Sequence, residues 1–273
     1  MYKSQQRLVY HRKEIYSHKT EISFEIETFA IIDPLPDCVG ERTVAFSPVN
    51  QSLPNGAELP CSDDIPVDNE DQNLLPNLLL LLLTYLWSDR RDWYFGVDMA
   101  IYHTTGLNPR VPVVPDAFLS LGVERKKGGK SRRSYVVWEE QGIVPVWVLE
   151  MVSHQPGDEY TKKMTLYAKL GVLYYVVYNP EFWQRDRHQP LEIYKLVNGS
   201  YQLQIGEPYW MNELELGIGR YEAQIGGLTQ EILTWYDANG DRYLSGEEQQ
   251  RQRAERLSAY LRSQGIDPEQ LLE

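Results

Sequence analysis

The chain has 273 residues, 42% of them hydrophobic and 12% aromatic, which is enough for one large or two small domains with a real core and excludes disorder throughout. Its formal charge of −12 excludes broad, nonspecific wrapping of nucleic acid, which needs a basic face, and leaves only a local basic groove open to that role. Two cysteines, Cys38 and Cys61, are too few for a disulfide framework, and Met1–Thr20 lacks the apolar core of a signal peptide, so the cytoplasm is the expected compartment.

Taken in order, residues 1–22 are polar and mildly basic and predict a tail or an added edge strand. From Ile31 to Asn69 proline and acid dominate, which suits an extended segment wrapping the surface, with Asn55-Gly56 as a turn. The first helix starts after Asp68-Asn69-Glu70-Asp71, where Asn and the acids supply a cap and complement the helix dipole, and runs to about Trp87. Its leucine run is interrupted by Pro76-Asn77 and is shorter than the roughly 18 apolar residues a membrane span needs, so it predicts a buried helix and no membrane partner. Three strands follow, over Asp92–Tyr102, around Val113–Leu119 and over Ser134–Glu139. Between the last two, Arg125 to Arg133 carries six basic residues in nine, the one strong positive patch of an acidic chain. It is either a solvated hairpin tip or a phosphate-contacting loop offering Lys126, Lys127, Lys130, Arg132 and Arg133 to DNA.

The most informative stretch is Pro145 to Pro180. An apolar run, Val146 to Leu149, ends in Glu150, a carboxylate that must be paired, hydrogen-bonded or metal-bound because burying it alone is expensive. After the breaker Pro156-Gly157, Tyr160, Met164, Tyr167 and Ala168 form one helical stripe within Glu159–Leu170, and Gly171 ends the helix. Val172–Tyr178 is an unbroken β-branched and aromatic run that predicts a buried strand. A right-handed strand-helix-strand unit makes the two strands parallel and sets the first turns of the helix near the end of the strand carrying Glu150, within reach of Lys162 or Lys163. Further short strands are expected at Leu191–Leu196, Tyr201–Ile205 and Ile232–Tyr236, with an irregular stretch around Trp210. Gly246–Gln264 predicts a tail helix with Ala254, Leu257 and Leu261 on one face, too short for an independent coiled coil.

Asp116, Glu150 and Lys163 are the strongest chemical constellation. Two carboxylates late on neighbouring strands suit a hard cation such as Mg²⁺, with a lysine to orient water or offset phosphate charge; the same spacing also suits a structural salt bridge between Glu150 and the helix lysine. Asp237 to Glu248 places oxygen ligands as in a calcium loop, but Arg242 stands where a glycine permits the sharp turn, so a polar turn is expected. His154 has no second His or Cys nearby and is expected to be a loop residue.

Pro115-Asp116, Glu150 with Ser153 three residues on, Lys163 four residues before Tyr167, Gly171-Val172-x-Tyr174-Tyr175 and Asn179-Pro180 together resemble the Uma2 (Uma-two) family of the PD-(D/E)xK nuclease superfamily, whose members are often cyanobacterial. The basic hairpin, the segment Ser134–Glu140 and the tail helix resemble that family too. The resemblance implies a restriction-endonuclease-like α/β (α+β) core, a mixed central sheet flanked by helices, with extra C-terminal strands and a tail helix. It divides the chain into an N-terminal extension (1–69), the nuclease-like domain (70–235) and a helical tail (236–273). It implies metal ligation (Mg²⁺ or Mn²⁺) by Asp116 and Glu150, Lys163 as the catalytic lysine, and Glu70 and Lys162 as accessory candidates. The superfamily's usual lysine, two residues after the acid, is replaced by Val152, so the lysine has moved to the helix; Glu159 fills the acidic position four residues before it. The implied function is a metal-dependent endonuclease hydrolysing DNA, the alternative a non-catalytic interaction protein on the same fold. A single site cuts one strand, so double-strand cleavage would need a homodimer or two events.

Overall fold

Asn69 starts the first helix, α1 (Glu70–Leu86), by accepting a 3.0 Å hydrogen bond from the Gln72 N–H, with Glu70 and Asp71 in the first turn. This computed structural model describes residues 53–60, 69–106, 108–154 and 157–268, all within the second of two units, Gln51–Glu273. The expectations for residues 1–22, and most of those for the extended segment 31–69, lie outside the described residues. Along α1, Gln72, Leu75, Pro76, Leu79, Leu82 and Leu83 are buried, the stripe of a helix with one apolar face. Pro76 lies inside it, and the hydrogen bond it cannot donate is the one that would have closed on the Gln72 carbonyl.

The strands are β1 (Trp93–Val97), β2 (Ile101–Tyr102), β3 (Ala117–Leu121), β4 (Tyr135–Val136), β5 (Trp147–Met151), β6 (Tyr174–Tyr178), β7 (Leu191–Val197), β8 (Ser200–Leu203), β9 (Tyr209–Met211), β10 (Leu216–Ile225) and β11 (Leu228–Tyr236). The central sheet runs β1-β3-β5-β6-β7-β8. Only β5 and β6 are parallel, joined by the expected crossover through α2 (Met164–Leu170). Side-chain alternation decides what each face carries. Trp147, Leu149, Met151, Tyr174, Val176 and Tyr178 pack with α1 and the small β11-β10-β9 sheet, while Val148, Val152, Tyr175 and Val177 pack with Tyr167 of α2. The architecture is thus mixed α+β, a mixed sheet with a helix on each side, extra C-terminal strands and a tail helix. α2 ends at Gly171, whose φ of 90° is the left-handed conformation that glycine adopts without strain.

Several boundaries differ from expectation. Asp92–Tyr102 is two strands: Asp98, at φ 45°, turns the chain out of β1, and β2 pairs in parallel with β4 in a separate sheet. β3 begins at Ala117, and Val113 makes only an isolated bridge to Ile101. The strand expected over Ser134–Glu139 shrinks to β4, because Val137–Glu140 closes into a 3₁₀ turn. β3 and β4 therefore belong to different sheets, and the basic segment between them is a connection rather than a hairpin tip. The stretch around Trp210 is β9, and β10, with glycines at 217 and 219 diluting its apolar pattern, pairs from Gly217 to Ile225 with β11. The Asn55 turn forms as expected, closed by the Glu58 N–H donating to the Asn55 carbonyl at 3.0 Å. The tail helix α4 (Gly246–Ser263) is started by a capping box between Ser245 and Glu248 and has no buried residue. No helix among the described residues is long and apolar enough to cross a membrane.

Candidate active site

Asp116 immediately precedes β3, and β3 runs antiparallel to β5 with Ala117 opposite Leu149, so the start of one strand lies beside the end of the other. Asp116 is thus early on its strand, not late, yet still meets the end of β5. Even-numbered positions Phe118 and Val148 pack in the cluster on the α2 face, which places Asp116 and Glu150 on that face too.

Glu150 is 1% exposed, and both its oxygens are engaged. The Lys163 ammonium donates to Oε2 at 2.7 Å, and the Tyr167 hydroxyl donates to Oε1 at 2.7 Å. Lys163 and Tyr167 are one helical turn apart, which puts them on one side of α2 above the same carboxylate. The turn leading in is π-helical, Glu159–Lys163, with the Lys163 N–H donating to the Asp158 carbonyl five residues back at 3.0 Å. Asp116 Oδ2 accepts the Met151 N–H at 2.6 Å. Its Oδ1 has no hydrogen-bond partner among the described residues.

The charges are strongly coupled. Burial, then the neighbouring Glu150 carboxylate, pushes Asp116 up to about 8. Burial also raises Glu150, against the opposing pull of Lys163 and Tyr167. Burial works against the Lys163 ammonium, but Glu150 outweighs it and the lysine is held above its usual range. At neutral pH Asp116 is protonated and Lys163 charged, and the lysine favours the ionised form of Glu150 against the burial that disfavours it.

Other predicted residues stand elsewhere. Lys162 points outward, its side chain 82% exposed, and pairs with Asp158 at 3.0 Å. Glu70 is exposed at the start of α1; from that helix it is the buried Gln72 that reaches the site, its Nε2 donating to the Met151 carbonyl at 3.4 Å. His154 is exposed, its ring edge-on to Phe182. Asp237 Oδ1 accepts the Asn239 and Asp241 N–H groups, both at 2.9 Å, and Glu248 is held by Arg242 at 2.7 Å, a polar turn as expected. The basic segment follows β3 and therefore lies at the opposite end of the sheet, tied by Gly122 and Arg125 to the carbonyls of Asp92 and Arg91 where β1 begins. With a strand rise of about 3.3 Å per residue that is roughly 20 Å from Asp116. Within the segment, Arg132 has a side chain only 2% exposed, forked on Glu140 at 3.0 Å and lying over the Tyr94 ring, and Lys127 pairs with Glu139 and Glu140. Lys126, Lys130 and Arg133 stay at the surface.

The profile of the Uma2 family, described as putative restriction endonuclease, matches residues 65–226, more than half of the chain and all of the site just described. The chain belongs to the Uma2 family. It is also similar in structure to a putative nuclease belonging to DUF820 from Anabaena variabilis ATCC 29413, at 13% identity and a TM-score of 0.39, over 54% of this chain and 73% of that one. No curated protein matches it.

In this Uma2 chain Val152, two residues beyond Glu150, is 5% exposed and part of the α2-side core, so a lysine there would have to bury its charge; the ammonium comes from α2 instead. The sequence places Tyr167 on the helical stripe and in the family motif without a role at the site, and gives Gln72 none; each is visible as a polar group on an apolar stripe. Tyr167 lies four residues after Lys163, and Gln72 sits three before Leu75 and seven before Leu79.

Proposed function

We propose that this chain is a metal-dependent endonuclease that hydrolyses DNA phosphodiester bonds, with Asp116, Glu150 and Lys163 as its catalytic residues. The carrying observation is the meeting of the three on one face of the sheet, with Lys163 2.7 Å from Glu150, in a member of the Uma2 family.

The donor set suits a hard divalent cation. Asp116 and Glu150 would hold it: Asp116 keeps one oxygen without a partner, and each Glu150 oxygen has a second lone pair beyond the one Lys163 or Tyr167 uses. When bound there, such an ion supplies an activated water and polarises the phosphate. Lys163, charged and 32% exposed, faces both Glu150 and solvent, where its ammonium can donate to an incoming water or to a phosphate oxygen as negative charge develops. Tyr167 and the Met151 N–H fix the orientation of the two carboxylates.

The test is nicking of supercoiled plasmid by the wild type, Asp116→Ala and Glu150→Ala, with EDTA, Mg²⁺ and Mn²⁺ in parallel and thermal melts to check folding. Nicking should need metal and vanish in both variants; cleavage that survives both changes sinks the assignment. One observation favours the alternative of a non-catalytic interaction protein that reuses the nuclease fold: among the described residues no group of three His, Cys, Asp or Glu side chains converges as a metal cluster. A melting temperature unmoved by millimolar Mg²⁺ or Mn²⁺ would support that alternative, because a ligand bound only by the folded state must raise it.

A further inference from the structure

Resting on the nuclease proposal, we infer that the groove between α2 and the loop after β2 is the track for the phosphate backbone of the substrate strand. The groove has a volume of about 720 Å³ and is lined by Thr105 and Gly106 from the loop and by Thr161, Lys162, Thr165 and Lys169 from the helix side. Beside Leu166 and three threonines, of which Thr161 and Thr165 donate their hydroxyl protons to the Asp158 and Thr161 carbonyls, the two lysines are the anion-attracting groups of this groove on a chain whose net charge is −12.

Its position joins it to the reacting centre. Lys162 is adjacent in sequence to Lys163, so the same turn sends one ammonium to Glu150 and the next into the groove. Neither groove lysine is committed. Lys162 has only an exposed contact with Asp158, of the kind that contributes little, and Lys169 is exposed without an ion pair among the described residues. Lys162, in the π turn, and Lys169, in α2, both line the groove at a separation of about 10 Å along the helix axis. With about 3.4 Å of axial rise per phosphate along one strand, that spacing spans about three phosphate steps. The basic segment at Arg125–Arg133 offers no such arrangement, since it lies at the far end of the sheet with Lys127 and Arg132 held by glutamates.

Behind Gly106 the structure also holds a group that no other part of the site uses. His103 is 4% exposed, with neither ring nitrogen hydrogen-bonded among the described residues, and its Cε1 lies 3.8 Å from where a side chain on Gly106 would begin. Burial keeps its imidazole neutral by lowering its affinity for a proton. It forms an uncharged backing to the groove loop, leaving the lysines as the anion-attracting groups.

The experiment is fluorescence-anisotropy binding of a labelled DNA duplex, and of a labelled single strand, in EDTA so that no cleavage intervenes, across a salt series. Wild type is compared with Lys169→Gln, Lys162→Gln/Lys169→Gln and Lys126→Gln/Lys130→Gln, all with melts to confirm folding. The groove variants should bind several-fold more weakly, with the slope of log affinity against log salt falling by about 0.9 per lysine removed for duplex and about 0.7 for a single strand. Groove variants that match the wild type in affinity and slope overturn the inference, as does a loss confined to the Lys126/Lys130 variant or the absence of wild-type binding at low salt. Failure of the nuclease proposal is separable: groove-dependent binding without metal-dependent nicking leaves the track standing and removes the catalysis, and Glu150-dependent nicking with groove-independent binding does the reverse.

Discussion

Removing one hydroxyl, in Tyr167→Phe, isolates the contact that orients Glu150. The ring is fully buried and Phe fills the same space, so the change is confined to the 2.7 Å bond to Oε1. A hydrogen bond to a charged group contributes about 1.5–3 kcal/mol, and Glu150, at 1% exposure, has no water to replace the donor. At about 2–4 °C per kcal/mol for a unit of this size, a loss near 2 kcal/mol lowers the melting temperature by roughly 4–8 °C. The pH dependence has a definite sign. Burial raises the Glu150 carboxyl in the folded state and Tyr167 opposes the rise, so the variant raises it further. A raised carboxyl gives stability that is present below its unfolded value and lost as pH rises through the folded one, so the cost of the variant should grow from pH 5 to pH 8. Urea denaturation at both pH values, repeated in a Glu150→Gln background, measures it. In that background the bond is neutral and the cost should fall to about 1 kcal/mol. An equal cost in both backgrounds, or none in either, would refute the coupling.

Other contacts give further expectations. Arg132→Ala leaves the buried Glu140 with only Lys127, at 3.3 Å, to pair it and should cost up to about 3–5 kcal/mol in urea denaturation, whereas the exposed Lys126→Ala should stay within about 0.5 kcal/mol; similar costs would mean that Arg132 is not held as its 2% exposure indicates. Gly96→Ala puts a Cβ 2.3 Å from the Phe118 ring directly opposite on β3, which should cost about 1–3 kcal/mol, partly restored by Phe118→Leu; a neutral substitution would contradict that packing. The Arg242 hydrogen bond, with the helix cap, holds Glu248 down to about 2 from an ordinary 4.5. The stability it gives α4 is therefore present above about 4.5 and lost as pH falls toward about 2, visible as declining helicity that Glu248→Gln should make insensitive to pH.

Most of the unit that holds the site was legible because it is local. The apolar run, the breaker, the helix with its glycine stop and the second apolar run follow one another within 145–180, and a right-handed crossover leaves one arrangement for them. The π turn was not legible, since a stripe counted at 3.6 residues per turn assumes no inserted residue; Tyr160 consequently sits half-buried with its ring stacked on His188 at 3.5 Å, while Tyr167 is fully buried. The short strands were misjudged where pairing, not composition, sets their ends. Nothing in Val137–Glu140 distinguishes a strand from a 3₁₀ turn until β4 is seen to pair only with a two-residue partner.

The basic segment shows why charge read along a sequence differs from charge read in space. Six basic residues in nine look like the strongest feature of an acidic chain. β3 carries that segment away from Asp116, by roughly 20 Å at the usual strand rise, about twice the 8–10 Å over which exposed charges are felt at physiological salt. Two of its charges are also neutralised by Glu139 and Glu140. Lys163, one residue among many, lies 2.7 Å from Glu150 and opposes the burial that disfavours its charge. With Asp116 protonated below about 8 and Glu150 paired with Lys163, the site carries less negative charge than its carboxyl groups and the −12 total would suggest. For the proposed DNA substrate, net charge would govern the approach of the whole molecule, and the pairing of Glu150 with Lys163 what a phosphate meets on arrival.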